Sequence, residues 1–347
     1  MTIRLTVRTA LWRSHVARLA SEVDGLVPVV KGNGYGFGRD WLATFAADFA
    51  DTIAVGTVHE LSSVPKNTAA VVLTPTLTAP TDTTIDNTTI NNTTINNTTI
   101  NNNTINNNTT INNNTAINNT AITNTATTTL TVGAPEHIAA LDGWPGPVVV
   151  KLRSSMRRYG GDAALIDVAR DAGLDVVGVS VHPPLEGHGD TRADIVAALD
   201  GVDTALPAWV SHVSPETYRQ LPADRQYRLR LGTALWHGDK STLQLHADVL
   251  AHQRVEQDQP VGYRLGAAPG DGTVVIVGAG SANGVTALAD GQSPFHFARH
   301  RLTLVEAPHM HSSMVFVPDG QPLPAIGDVV DLQRPLTMTA VDEFVWL

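Results

Sequence analysis

The chain has 347 residues, 42 % of them hydrophobic, enough for two domains or for one barrel with an appendage. A formal net charge of -10 argues against nucleic acid or an anionic membrane as partner, and no apolar run approaches the length of a membrane span. Cysteine is absent, which excludes disulfides, thiolate metal sites and cysteine catalysis. With no apolar stretch after the first charges, the expected location is cytoplasmic.

The opening Ile3-Arg-Leu-Thr-Val alternates and reads as a strand, and residues 1–10 are expected to pair with the C-terminal part of the chain. From 11 to 240, short β-branched runs alternate with helix-like pieces. The runs are Leu26–Lys31, Ile53–Thr57, Ala70–Thr74, Leu130–Val132, Pro147–Leu152, Val176–His182, Ala208–His212 and Arg228–Gly232. Between them lie amphipathic segments such as Arg39–Phe49, Pro135–Leu141, Asp162–Ala172 and Thr191–Leu199, and a short one at His59–Ser63. Eight strands with intervening helices predict an α/β fold, a (β/α)8 TIM barrel. Pro28 cannot donate to a ladder in the first strand.

Residues 81–129 fit neither period. They repeat Thr-Thr-Ile-Asn-Asn, with isoleucines at 85, 90, 95, 100, 105, 111, 117 and 122. One isoleucine in five cannot offset the entropy of ordering the chain, so a disordered insertion is expected where the third barrel helix belongs. A five-residue β-helix is the alternative. From 241 to 347 the chain alternates in short pieces between Gly, Pro and Asp turns, which predicts a C-terminal β domain, a small barrel or sandwich.

The stretch Val29-Val30-Lys31-Gly32-Asn33-Gly34-Tyr35-Gly36 delivers a lysine from a buried strand into a glycine-rich loop. A lysine is poorly placed there unless its amine has a task, and one such task is covalent union with an aldehyde cofactor. The other reading is an ordinary polar turn with Lys31 in solvent. In a barrel, chemistry sits at the carboxyl ends of the strands. Lys31 ends the first strand, and Lys151 lies near the end of the fifth, with Arg153, Arg157 and Arg158 just beyond. His182 ends the sixth, Ser211, His212 and Ser214 close or follow the seventh, and Arg230, Gly232 and Thr233 close the eighth. A lysine opposite a Ser/Gly/Thr phosphate cup suits pyridoxal 5'-phosphate. His296, His300, Glu306, His309 and His311, and the loop His182–Asp190 with Glu186 and His188, read as solvated polar residues, with no metal expected.

Here the chain resembles the alanine racemases. Lys31-Gly-Asn-Gly-Tyr35-Gly-Phe-Gly looks like the family's Lys-Ala-Asn-Ala-Tyr-Gly-His-Gly, where the lysine holds the cofactor and the tyrosine contacts its phosphate. Lys151-Leu-Arg-Ser-Ser-Met156-Arg-Arg158 resembles Lys-x-x-x-Gly-Met-x-Arg, whose lysine, commonly carbamylated, braces an arginine that touches the substrate carboxylate. By the same resemblance, His182 lies near the cofactor, Ser214, Gly232 and Thr233 join the phosphate cup, and Arg230 faces the pyridine nitrogen. Tyr263, in Gly262-Tyr263-Arg264, is the second catalytic base beside Lys31, and Met310 contacts substrate. The implied protein is a homodimeric racemase in which Tyr263 acts across the interface on a small amino acid, most simply alanine. A base on one face of the substrate Cα and an acid on the other is what racemisation requires. Each residue alone also has an ordinary structural reading; together, arriving in family order, they do not. The chain departs from the family at Ser281 (a tyrosine there), His311 (an acid) and Ser155 (a glycine). Those departures keep two alternatives open: a degenerate pyridoxal-phosphate-binding relative, or a racemase of another small amino acid.

Overall fold

The computed structural model describes residues 3–78, 128–185 and 187–347, so most of the repeat expected at 81–129, and Glu186, lie outside the described residues. The chain opens on β1 (Ile3–Val7) and α1 (Thr9–Glu22). Eight strands follow: β2 (Leu26–Pro28), β3 (Thr52–Val55), β4 (Ala69–Val72), β5 (Thr128–Val132), β6 (Pro147–Lys151), β7 (Asp175–Ser180), β8 (Ala208–Ser211) and β9 (Tyr227–Leu231). They form one all-parallel sheet in the order β2-β9-β8-β7-β6-β5-β4-β3. The ring closes through a bridge between Val29 and Ala54, where the Val30 N–H donates to the Ala54 carbonyl at 2.8 Å. Helices cover one face and packed side chains the other, so strands such as β3 and β8 are buried at every position. That double burial is why they read as unbroken apolar runs rather than alternating ones. The fold is therefore the (β/α)8 barrel.

Pro28 fits because N–H directions alternate along a strand. Val29 N–H donates to the Leu231 carbonyl of β9 at 2.8 Å, so the donor that Pro28 lacks falls on the thinly paired β3 side. The covering helices include α2 (Arg39–Ala47), α3 (Pro135–Ala139), α4 (Ala164–Asp171), α5 (Thr191–Ala198), α6 (Pro215–Arg219) and α7 (Thr233–His237). In α4 the 3.6-residue period puts Leu165, Ile166 and Ala169 inside. β5 begins at Thr128, so Thr128 and Thr129, counted with the repeat by composition, are buried or half-buried strand residues.

Residue contacts divide the chain into two compact units. One is Arg18–Gly34 with Gly38–Leu235, the barrel; the other is Met1–Ala17, Tyr35–Phe37 and Trp236–Leu347, the β unit. In the β unit, β10 (Leu243–Val255) is 13 residues long and pairs antiparallel with β1, with β13 (Gly272–Val277) and with β18 (Val329–Leu332). With β14 (Phe295–Phe297), β15 (His300–Arg301), β16 (Thr303–Leu304) and β17 (Ser313–Pro318), the ladders join into one branched nine-stranded sheet, in which β19 (Glu343–Trp346) runs parallel to β1. A separate hairpin, β11 (Pro260–Val261) and β12 (Gly266–Ala267), is anchored by Val261 and Ala268 packing on Val255, Val274 and Phe316. A second core gathers Trp12, Phe37, Trp236 and Trp346, where Trp12 Nε1 donates to the Trp236 carbonyl at 2.9 Å. Trp12 is only 1 % exposed, so its burial stabilises the unit by about 2–3 kcal/mol.

Candidate active site

Lys31 leaves β2 directly after the two hydrogen bonds that close the barrel. The loop beyond it is shaped by glycines. Gly34 has φ +65°, and a Cβ there would meet the Arg39 N at 2.5 Å, so no other residue fits. One carboxylate ties this loop to the next. Glu60 accepts from the Gly32 N–H at 3.1 Å and from the Gly56 N–H at 2.6 Å, and Arg39 donates to the Gly32 carbonyl at 3.0 Å. The side chain of Lys31 still reaches solvent. Partial desolvation nonetheless lowers its pKa from the ordinary lysine range, Arg158 and Arg230 push the same way, and Glu60 opposes them. A lysine whose neutral form is favoured is a nucleophile.

Lys151, the last residue of β6, is buried, and its pKa falls to about 7 through desolvation and then the charges of Arg230, Arg158 and Lys31. Tyr159 lies under both neighbours: Lys151 Nζ is 5.4 Å and Arg158 Cζ 4.7 Å from its ring centre. Arg230, buried at the end of β9, rests on backbone. Its Nη2 donates to the carbonyls of Val181 (2.9 Å) and Trp209 (3.3 Å), and burial brings its pKa to about 10, still protonated at neutral pH. His182 Nδ1 lies 2.6 Å from Ser211 Oγ. Burial first, then Arg230 and the neighbouring cations, push its pKa to about 2, so it is a neutral imidazole. His212, in a left-handed conformation (φ +61°), sets its ring centre 4.2 Å from that of His182, the two planes tilted by 51°.

The barrel unit thus brings Lys31, Lys151, Arg158, His182 and Arg230 within electrostatic reach of one another. Among the described residues, no carboxylate comes within ion-pair distance of Lys31, Lys151, Arg158 or Arg230. Gly232 and Thr233 open α7 just past β9, with Thr233 exposed. Ser214, just beyond β8, caps α6: its Oγ accepts from the Thr217 N–H at 3.2 Å. A cavity of about 250 Å³ opens beside Arg158, between Arg153, Arg157, Tyr159 and His137.

The remaining candidates belong to the β unit. Tyr35 is buried at φ +56°; its carbonyl lies 2.6 Å from His237 Nε2, and the two rings are 5.7 Å apart. Tyr263 stands at the tip of the β11–β12 hairpin, 84 % exposed, and Met310 and His311 are also exposed. The Ser281 N–H donates to the His309 carbonyl at 2.7 Å and that of Ala282 to Met310 at 2.9 Å, so the 281 and 310 turns are one assembly. Among the described residues, no three His, Asp or Glu side chains gather as a metal site would require, and no helix is long and apolar enough to cross a membrane. Sequence reading missed Glu60. It lies in the short 3-10 helix Val58–Ser63, and its partners are backbone N–H groups 28 and 4 residues away, which the sequence pattern does not signal.

The donor set fits pyridoxal phosphate: a neutral-leaning amine, a ring of cations without carboxylate partners, and backbone N–H groups opening a helix on the same rim. The class that the fold defines is a parallel (β/α)8 barrel carried in one chain with a mainly antiparallel β unit. The family model described as alanine racemase, N-terminal domain, matches residues 9–239, which is 231 of the 347 residues, and the chain belongs to that family. Similar solved structures include the alanine racemase of Bartonella henselae with covalently bound pyridoxal phosphate, at 16 % identity over 100 % of both chains (TM-score 0.67). The biosynthetic alanine racemase of Pseudomonas aeruginosa is 18 % identical over 99 % of each chain (TM-score 0.65). That of Streptomyces coelicolor A3(2) is 17 % identical over 100 % of this chain and 98 % of its own (TM-score 0.66). At these identities the likeness is one of fold. No curated protein matches the chain in sequence.

Proposed function

We propose that this protein is a cytoplasmic, homodimeric, pyridoxal-phosphate-dependent racemase that interconverts L-alanine and D-alanine. The observation that carries the reading is the barrel mouth, where Lys151, Arg158 and Arg230 stand near a lysine of lowered pKa, Lys31, with no carboxylate at ion-pair distance among the described residues. Such a mouth is complementary to a phosphate and to the carboxylate of an amino acid. Lys31 would hold the cofactor covalently. Tyr35, Ser214, Gly232 and Thr233 would receive its phosphate, His182 would sit beside it, and Arg230 would face the pyridine nitrogen. Once bound, the cofactor supplies an electron-withdrawing ring that acidifies the substrate α-hydrogen. Arg230 keeps its proton and cannot pass it on, so the ring stays a weaker sink than one carrying a full proton.

The remaining work falls to the chain itself. Arg158 binds the substrate carboxylate, Lys151 braces Arg158 through the shared Tyr159 ring, and Met310 is a further substrate contact. Lys31 exchanges a proton at Nζ on one face of the substrate Cα, and the Tyr263 hydroxyl exchanges one on the other. Tyr263 does so across the interface of two chains, in reach of the Arg158 charge. Ser281 and His311 favour a second reading, a racemase of a different small amino acid, because both are exposed on the turn assembly that carries Met310.

The test is an absorbance spectrum of purified protein before and after borohydride, with D-alanine formation and α-hydrogen exchange followed on the same sample. A cofactor band fixed by borohydride together with D-alanine production is expected. A band with no exchange for any small amino acid would leave a carrier of the cofactor, and no band at all would sink the reading.

A further inference from the structure

The hairpin that presents Tyr263 is fastened to a single carboxylate 43 residues away. Gly262 turns with φ +74°, and a Cβ there would lie 2.5 Å from Glu306 Oε1, so only glycine lets the backbone come this close. The Tyr263 N–H then donates to Glu306 Oε1 at 2.9 Å. The same oxygen is 2.6 Å from His309 Nε2, and the His309 ring lies nearly parallel to the Tyr263 ring, centroids 4.2 Å apart at 24°. The side chains of His309 and Glu306 are only 16 % and 14 % exposed, whereas Tyr263 is 84 % exposed. Burial pushes the Glu306 pKa up, but the donors from Tyr263 and His309 outweigh it and hold the carboxyl below its ordinary range, so it stays an acceptor. His309 is pinned in turn: its carbonyl accepts from Ser281, and its N–H donates to the Ser312 carbonyl at 2.9 Å.

An exposed tyrosine at a hairpin tip ordinarily samples several rotamers. Here its backbone is tied to Glu306 and one ring face lies on His309, so its hydroxyl points in a restricted direction before any substrate arrives. We propose that Glu306 and His309 are positioning residues which hold the ring of Tyr263 in its working orientation. Neither touches substrate; both act through Tyr263. The inference rests on the racemase reading of Tyr263.

Loss of one ring stack releases an orientation held by a small free energy, equivalent to roughly a three- to tenfold change in population. In the full-length holoenzyme, His309→Ala is therefore expected to lower kcat in both directions by about that factor, with KM for alanine and the cofactor absorbance unchanged. His309→Phe keeps a flat ring under Tyr263 and should recover most of the lost kcat. If His309→Ala proves thermally unstable, His309→Leu, which fills the space without a flat ring, replaces it. Wild-type kcat in the Ala or Leu variant would overturn the proposal, as would a Phe variant no better than Leu. A wild-type enzyme that makes no D-amino acid at all would instead bring down the racemase reading, and this inference with it.

Discussion

The barrel mouth and the Tyr263 hairpin carry the two sets of candidate residues, and they are built on opposite terms. At the mouth, Lys151 and Arg230 are almost wholly buried, and the Arg230 charge rests on strand-end carbonyls. On the hairpin side, Tyr263 and Met310 stand in solvent, on turns fastened by hydrogen bonds from behind. Burying cations costs folding free energy unless an anion compensates. A mouth of this kind is therefore least comfortable empty and gains most from a bound phosphate and carboxylate. Exposing a tyrosine and a methionine costs little, yet inside one chain it accomplishes nothing. The proposed second copy would give both a surface to meet.

Four measurements sharpen or break this contrast. Lys31→Ala should have the largest effect. It should abolish the borohydride-fixable cofactor band and turnover together, while urea unfolding of the cofactor-free protein changes little, because this side chain is already solvent-exposed. If the band survives, the mouth is not where the cofactor attaches. Tyr263→Phe, on the other side of the contrast, should lower kcat about 10²–10⁴-fold with cofactor occupancy intact, as expected for loss of one acid–base group. A Phe variant of normal kcat would make the hairpin a bystander.

Arg230→Met should be a stability effect as much as a functional one. It leaves the carbonyls of Val181 and Trp209 without their donor and should destabilise the barrel by about 2–3 kcal/mol in urea unfolding. The last measurement is a pH dependence. In the folded, cofactor-free protein Lys151 holds its proton only below about 7, while an unfolded lysine holds it to about 10.5. Between those values the unfolded chain binds more protons, so stability should rise with pH across that window and stay low below it. Lys151→Met should flatten this rise in unfolding midpoints measured from pH 7 to 10. An unchanged slope would mean that the mouth accommodates the charge without cost.

Much of the barrel was legible because parallel strands buried on both faces leave apolar runs of four to six residues. Their ends were not. The runs Leu26–Lys31, Val176–His182, Ala208–His212 and Arg228–Gly232 all continue past the observed strands, which stop at Pro28, Ser180, Ser211 and Leu231. Val29 and Val30 stay buried while making only single closing bonds, so the apolar pattern outlasts the ladder. Lys31, His182, His212 and Gly232 lie just past the point where regular pairing ends. The C-terminal part read as a small barrel or sandwich. It is one branched sheet because β10 is long enough to serve different neighbours along its two halves. Glu306 and His309 looked like solvated polar residues. Their partnership with Tyr263 depends on a turn 43 residues earlier, and nothing local in the sequence announces it.

β4 and β5 lie side by side, with Ala70 opposite Thr128, although the chain between them is the longest of any two neighbouring barrel strands joined in sequence. Closing a loop costs only about 0.6 kcal/mol more each time its length doubles. The barrel is thus nearly indifferent to how much polypeptide is threaded between those two staves. A reporter or a guest protein with neighbouring termini, grafted into that connection, is therefore expected to leave the hoop itself whole.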